Sequence, residues 1–223
     1  MKREAKAAVF DMDGTIVDNM RYHTRAWLEL AASLGEELAP EVFDRDTAGR
    51  KTDEILRWLL GRELSREELD RLGGSKEARY RELYAPHLAP LPGFLELLTR
   101  LERAGVKRAI ASAAPRENRA LVLSGLELAS RFEAVVGAED APRGKPAPDI
   151  YLAAAQRLGV APARCLAFED AANGVLAARA AGMEAAAVLT TTTEEALRAA
   201  GARWVLSDFT RLPADLEAWL FTE

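Results

Sequence analysis

Short apolar runs of strand length recur along the chain at 7–10, 106–111, 134–137, 165–168, 185–189 and 204–206. Helical patterns separate most of them, at 94–104, 117–123, 149–158, 173–181 and 194–200. Gly105, Gly159, Gly182 and Gly201 stand just past the ends of four of these helices, where a residue able to turn left-handed closes a helix. Strands that read as continuous apolar runs and alternate with helices predict an α/β fold. Its parallel sheet is covered on both faces, and its crossovers are right-handed.

The alternation breaks once, between positions 17 and 88, where no segment reads as a strand. Trp27, Leu30, Ala31 and Leu34 share one helix face, and Ile55, Leu56, Leu59 and Leu60 form a second stripe. Ser65 and Glu68 have capping-box spacing, and Leu64 with Leu69 has the spacing of a hydrophobic staple, so a third helix starts there. Gly73-Gly74 is expected to end it, and a fourth helix over 75–84 leads back toward Pro92-Gly93. The predicted organisation is a core domain over 1–16 and 89–223 with a helical cap domain inserted over 17–88.

Composition narrows the function classes. With 223 residues, 49% hydrophobic and 29% charged, the chain suits a soluble globular protein of one large domain or one domain with an insertion. A net charge of −5 gives no electrostatic reason to expect nucleic acid, and no apolar stretch approaches membrane-spanning length. The N-terminal segment runs into a strand without the apolar core of a signal peptide, so a cytoplasmic monomer is expected. Cys165 lies inside an apolar run and reads as buried strand packing rather than a reactive thiol.

In parallel α/β sheets ligands bind beyond the carboxyl ends of the strands, so the residues placed there carry the chemistry. The first strand ends in Asp11-Met12-Asp13-Gly14-Thr15. Two carboxylates two residues apart on a tight turn allow one to attack phosphorus while the other moves protons, and Thr15 offers a hydroxyl to a phosphate oxygen or a helix end. The second strand ends in Ser112-Ala113-Ala114, a hydroxyl with backbone N–H groups that suits phosphate oxygens or a simple turn. Lys145 follows the third strand in Gly144-Lys145-Pro146-Ala147-Pro148-Asp149. The fourth ends in Glu169-Asp170, a hard-oxygen pair suited to Mg²⁺. Thr190 to Thr193 read as a helix start, with Thr191 and Glu194 or Thr192 and Glu195 as a capping box.

In this order, over nearly the whole chain, these motifs resemble the haloacid dehalogenase superfamily of phosphotransferases, and within it the helical-cap branch of β-phosphoglucomutases and small-metabolite phosphatases. The resemblance implies a Rossmann-like core and a mobile cap. It implies Asp11 as nucleophile forming an aspartyl phosphate and Asp13 as general acid and base. Mg²⁺ would be held by Asp11, the carbonyl of Asp13 and Asp170, with Glu169 as a direct or water-mediated ligand, and Lys145 and Ser112 would sit against the phosphate. It further implies that His23 touches Asp13 when the cap closes, and that the loop around Gly49, Arg50, Lys51 and Asp53 selects a small phosphate ester as substrate. The mutase pattern is incomplete. Thr52 stands near the expected cap arginine, and Ala114-Pro115 replace the Ser and Lys that mutases carry after Ser112. A phosphatase is therefore expected ahead of a phosphosugar mutase, an inorganic pyrophosphatase or a non-enzymatic phospholigand-binding regulator.

Overall fold

The structure, a computed structural model, describes residues 6–47 and 52–222. In chain order it contains strand β1 (Ala7–Phe10), helices α1 (Met20–Ser33), α2 (Pro40–Thr47), α3 (Thr52–Leu60), α4 (Arg66–Tyr84) and α5 (Phe94–Arg103), and strand β2 (Lys107–Ala111). There follow α6 (Arg116–Gly125), β3 (Ala134–Val136), α7 (Asp149–Leu158), β4 (Cys165–Glu169), α8 (Ala172–Ala180), β5 (Glu184–Val188), α9 (Glu194–Ala199), β6 (Trp204–Leu206) and α10 (Ala214–Phe221). The chain divides into two units, passing from a sheet unit into a helical unit after Asp18 and returning after Leu88.

The sheet unit has six parallel strands in the order β3-β2-β1-β4-β5-β6, a Rossmann-like arrangement with β1 between β2 and β4. Alternation along each strand sorts side chains by size. Val9, Ala109, Ala111, Ala167, Ala185 and Ala187 join one buried cluster with Tyr151, Ala154 and Ala155 of α7 and Val175, Ala177 and Ala178 of α8. Small side chains on that face let the two helices approach closely. The intervening residues include Phe10, whose ring stacks on Phe168 at 4.7 Å and meets Phe94 edge-on at 5.4 Å. Such aromatic pairs contribute about 0.5–1.5 kcal/mol beyond their buried area. Cys165 is buried in β4, and burial pushes its thiol up to about 11.

Register sets the site. Phe10 lies opposite Ile110 on one side and Phe168 on the other, so the chain leaves all three strands at nearly one level. Asp11 N–H continues the ladder to the Phe168 carbonyl at 2.9 Å, and Ser112 N–H reaches the Val136 carbonyl at 3.1 Å. β1, the switch point of the strand order, thereby delivers Asp11 between Ser112 and Glu169.

The helical unit is built around Trp27, Leu30, Phe43, Ile55, Leu56, Leu64 and Leu72. Ser65 caps α4 through the reciprocal box with Glu68, at 3.2 Å and 3.0 Å. The expected break at Gly73-Gly74 does not occur, since α4 runs unbroken for 19 residues. Its buried face, Leu72, Lys76, Tyr80 and Tyr84, repeats every four residues straight through the glycines and packs along α1. That burial outweighs the cost of about 1 kcal/mol for a glycine inside a helix, and neither glycine takes the left-handed conformation that ends one. Helix α2, absent from the sequence reading, is held chiefly by Phe43, whose ring lies 6.0 Å from Trp27. One buried aromatic in eight residues is too little periodicity to see in advance.

Candidate active site

Asp11, Lys145, Glu169 and Asp170 converge beyond the carboxyl ends of β1 and β4. Lys145 Nζ donates to Asp11 Oδ1 at 2.6 Å and to Glu169 Oε1 at 2.5 Å, with the Ala111 carbonyl at 3.4 Å. Asp11, Glu169 and Asp170 are 7%, 1% and 4% exposed, and each offers a carboxylate oxygen within 4.8 Å of the others. Three buried carboxylates therefore face one ammonium. Burial pushes the Asp11 carboxyl well above the usual range, Lys145 pulls it down, and Glu169 and Asp170 push it up again. Asp170 is pushed up to about 7, chiefly by burial and then by Glu169, against the lowering effect of the Thr191 hydroxyl. Burial favours a neutral Lys145, but Asp11 and Glu169 outweigh it and hold the ammonium protonated. These carboxylate oxygens lie close enough together to hold a metal ion, whose charge would lower both raised carboxyls.

The turn after β1 is forced by its surroundings. Gly14 takes φ +76°, and a Cβ there would stand 2.0 Å from Asp170 Oδ2, so only glycine lets the turn pass the carboxylate. Asp13 lies on this turn, half-buried, in an isolated bridge to Val17. Thr15 is fully buried, and its hydroxyl reaches Asp170 Oδ1 at 3.3 Å. Ser112, 1% exposed, accepts from Ala114 N–H at 3.1 Å, while Ala113 is exposed on the same loop. Pro115 follows as the N-terminal cap position of α6, with no side-chain hydrogen bond to the helix.

His23 lies in α1 of the helical unit, and the structure describes it within that unit. Lys76 Nζ, buried, donates to its Nδ1 at 2.7 Å, which places the ring proton on Nε2, and the ring stacks on Tyr80 at 3.7 Å. Burial first and the Lys76 charge second hold the imidazole well below its usual range. Gly49, Arg50 and Lys51 lie outside the described residues.

Four residues at the site carried no chemical reading in the sequence. Tyr151, fully buried on α7, donates to Glu169 Oε1 at 2.6 Å and lies with its ring 5.2 Å from Lys145 Nζ. Arg119, buried on α6, donates to the Ala114 carbonyl at 2.6 Å and pairs with Glu139, which fixes the loop after Ser112. Thr190 donates to the Gly14 carbonyl at 2.5 Å, and Thr191 donates to Asp170 Oδ2. The capping boxes expected at Thr191 and Thr192 are absent, because α9 is capped by Thr193, whose hydroxyl accepts from Ala196 N–H at 3.3 Å. β5 ends at Val188, and Thr190 turns to the Gly14 carbonyl and Thr191 to Asp170 instead. The signals were a phenol on an apolar helix face, which needs a partner once buried, and hydroxyls placed just past a strand end.

Comparison with known proteins gives a consistent picture. Residues 5–182 match the family described as haloacid dehalogenase-like hydrolases. The chain is 34% identical over 217 residues to hexitol phosphatase B of Escherichia coli O157:H7, covering 95% of this chain and 96% of that one. It is 36% identical over 195 residues to β-phosphoglucomutase of Bacillus subtilis, covering 82% of this chain and 83% of the other. Among solved structures, a family IA, variant 3 hydrolase of Entamoeba histolytica superimposes with a TM-score of 0.90 at 25% identity, over 98% of this chain and 100% of that one.

Proposed function

The chain belongs to the haloacid dehalogenase-like hydrolases and is a phosphohydrolase among them, and we propose that it releases phosphate from a small phosphorylated sugar or sugar alcohol through an aspartyl-phosphate intermediate. The observation that carries this reading is the buried set of three carboxylates around the single ammonium of Lys145. Fully ionised, the three carboxylates would carry two more charges than the ammonium of Lys145 offsets, and each offers a hard oxygen. Both facts fit a divalent cation of the Mg²⁺ type.

Asp11 would hold that ion together with Asp170 and the Asp13 carbonyl, and Glu169 would add an oxygen directly or through water. When bound, Mg²⁺ supplies charge that offsets the repulsion between carboxylate and phosphate. Asp11 attacks phosphorus in line. Asp13 protonates the departing alkoxide and then takes a proton from the water that cleaves the acyl phosphate, so one difficult displacement becomes two easier ones. Lys145 holds Asp11 in place and neutralises charge on the phosphoryl oxygens, and Ser112 with the N–H groups of its loop orients them. Glu169 has four donors already: Lys145, Tyr151 and the N–H groups of Asp170 and Ala171.

A phosphatase is favoured over a mutase by the loop after Ser112. Ala114 and Pro115 bring neither hydroxyl nor ammonium there to grip a second phosphate. The test is phosphate release from a panel of hexose and hexitol phosphates, nucleotides and pyrophosphate, with Mg²⁺ or with excess chelator. Glucose 6-phosphate is followed in parallel from β-glucose 1-phosphate supplied with the 1,6-bisphosphate. Release should need Mg²⁺ and fall by about 10⁴-fold or more in Asp11→Asn, as for loss of a covalent nucleophile. Full turnover in chelator, near-normal activity in Asp11→Asn, or isomerisation outrunning phosphate release would overturn the reading.

A further inference from the structure

Asp170 is a carboxylate that needs help to stay in one rotamer. It carries a ligand-capable oxygen in a buried site, and a carboxylate free to rotate would hold an ion poorly. The residue beside it gives no help. Ala171 stands at the N-terminal cap of α8, with no side chain to bond either the helix or the acid. Thr15 reaches Asp170 Oδ1 only at 3.3 Å, the long end of a hydroxyl contact.

The geometry points to Thr191 as the positioning residue for Asp170, a hydroxyl brought from the loop after β5 to fix the carboxylate for the metal. This inference rests on the reading of Asp170 as a metal ligand. Thr191 donates to Asp170 Oδ2 across 21 positions of sequence. Its neighbour Thr190 anchors the same loop by donating to the Gly14 carbonyl at 2.5 Å, on the turn that carries Asp13. A Cβ on Gly14 would lie 2.0 Å from Asp170 Oδ2 and 2.8 Å from Thr191 Oγ1, so turn, carboxylate and hydroxyl are packed against one another. The two threonines thus tie the β1 turn and the β4 acid to one loop. They leave Asp170 with one oxygen held by Thr191 and the other in loose contact with Thr15.

The experiment is a Mg²⁺ titration of the full chain without substrate, followed by calorimetry and by melting temperature, on the wild type, Asp170→Asn, Thr191→Val and Thr191→Ser. Valine keeps the shape of threonine and removes the hydroxyl, and Thr191 is exposed, so folding should survive. Mg²⁺ binding should weaken about 10-fold or more in Thr191→Val, the usual cost of losing a group that orients a metal ligand. Thr191→Ser should restore it. In turnover, the Mg²⁺ requirement should rise while KM for the phosphate ester stays constant. If wild type and Asp170→Asn bind Mg²⁺ equally, the metal reading fails. If Asp170→Asn loses binding and Thr191→Val keeps it, or if serine fails to rescue, the assignment of Thr191 is overturned while the metal reading stands.

Discussion

Each unit of the molecule shields a lysine from most of the solvent, and the two ammonium groups have opposite consequences. In the sheet unit Lys145 meets Asp11 and Glu169, and its charge favours the ionised form of Asp11 against the stronger effect of burial, which raises that carboxyl. In the helical unit Lys76, 3% exposed, meets the neutral His23 ring, Glu77 at 2.9 Å and the faces of Trp27 and Tyr80 at 5.2 and 5.8 Å. There burial first and the Lys76 charge second keep the imidazole from protonating. The first lysine sits among buried carboxylates whose oxygens lie close enough together to hold a metal ion. The second sits against two π-faces, a neutral imidazole and Glu77, and orders a packed cluster. Burial of a charge is thus no sign of chemistry by itself. The sign is the imbalance around it.

Replacing each lysine by methionine separates the two cases. Removing Lys145 leaves Asp11, Glu169 and Asp170 without their common cation, and the Asp11 carboxyl, already raised by burial, rises further. Turnover should fall by about 10²–10³-fold, the loss typical of one charge-stabilising donor. The acid limb of the pH–rate profile should move to higher pH, because more alkaline solution is needed to ionise the nucleophile. Steady-state kinetics from pH 5 to 9 check both, and an unshifted acid limb would detach Lys145 from Asp11. Lys76→Met also raises its neighbour, His23, but for an imidazole that means a ring easier to charge.

The next contrast concerns stability. His23 is held below its ordinary value, so the folded protein binds fewer protons than the unfolded chain once the pH drops below about 6.5, the ordinary histidine value. His23 therefore opposes folding increasingly as pH falls from about 6.5 toward the folded value. The slope is at most about 1.4 kcal/mol per pH unit, the limit for one proton. Above that window the effect is absent. Urea unfolding of wild type and His23→Gln at pH 7.5, 6.5 and 5.5 should show the wild type losing ground to the variant only below the upper limit. Parallel curves would mean that the ring takes up its proton equally readily in the folded and the unfolded chain.

The same division explains what could be read in advance. In the sheet unit, apolar runs and strand-end residues lie close in sequence, so Asp11, Ser112, Lys145 and Glu169-Asp170 announced a common place before any coordinates. Tyr151 and Thr191 did not, because a phenol on an apolar helix and a hydroxyl in a polar loop look like packing and capping until tertiary contacts give them partners. In the helical unit the stripes of α1 and α3 and the cap of α4 were legible. The His23–Lys76 contact spans 53 positions with no local pattern, and α2 has one buried aromatic to declare it. Local propensity also misled at Gly73-Gly74, where packing on a four-residue repeat carried the helix onward.

That last conflict yields the smallest effect and a direct test. If α4 is continuous, Gly74 sits in a helix interior, exposed, with negative φ and nothing within 4 Å of a Cβ placed on it. Gly74→Ala then removes backbone freedom from the unfolded chain at no cost to the fold, and should stabilise by roughly 0.5–1 kcal/mol. Gly73 differs by one position. It is buried, and its added Cβ would meet Thr52 Cγ2 at 3.1 Å, so Gly73→Ala forces α3 or α4 to yield and should gain less or lose. Had the helix ended here with a glycine turned left-handed, alanine at that terminating position would be strained. Thermal melts of the two variants beside wild type decide between the readings, and a destabilised Gly74→Ala would return the break to the middle of α4.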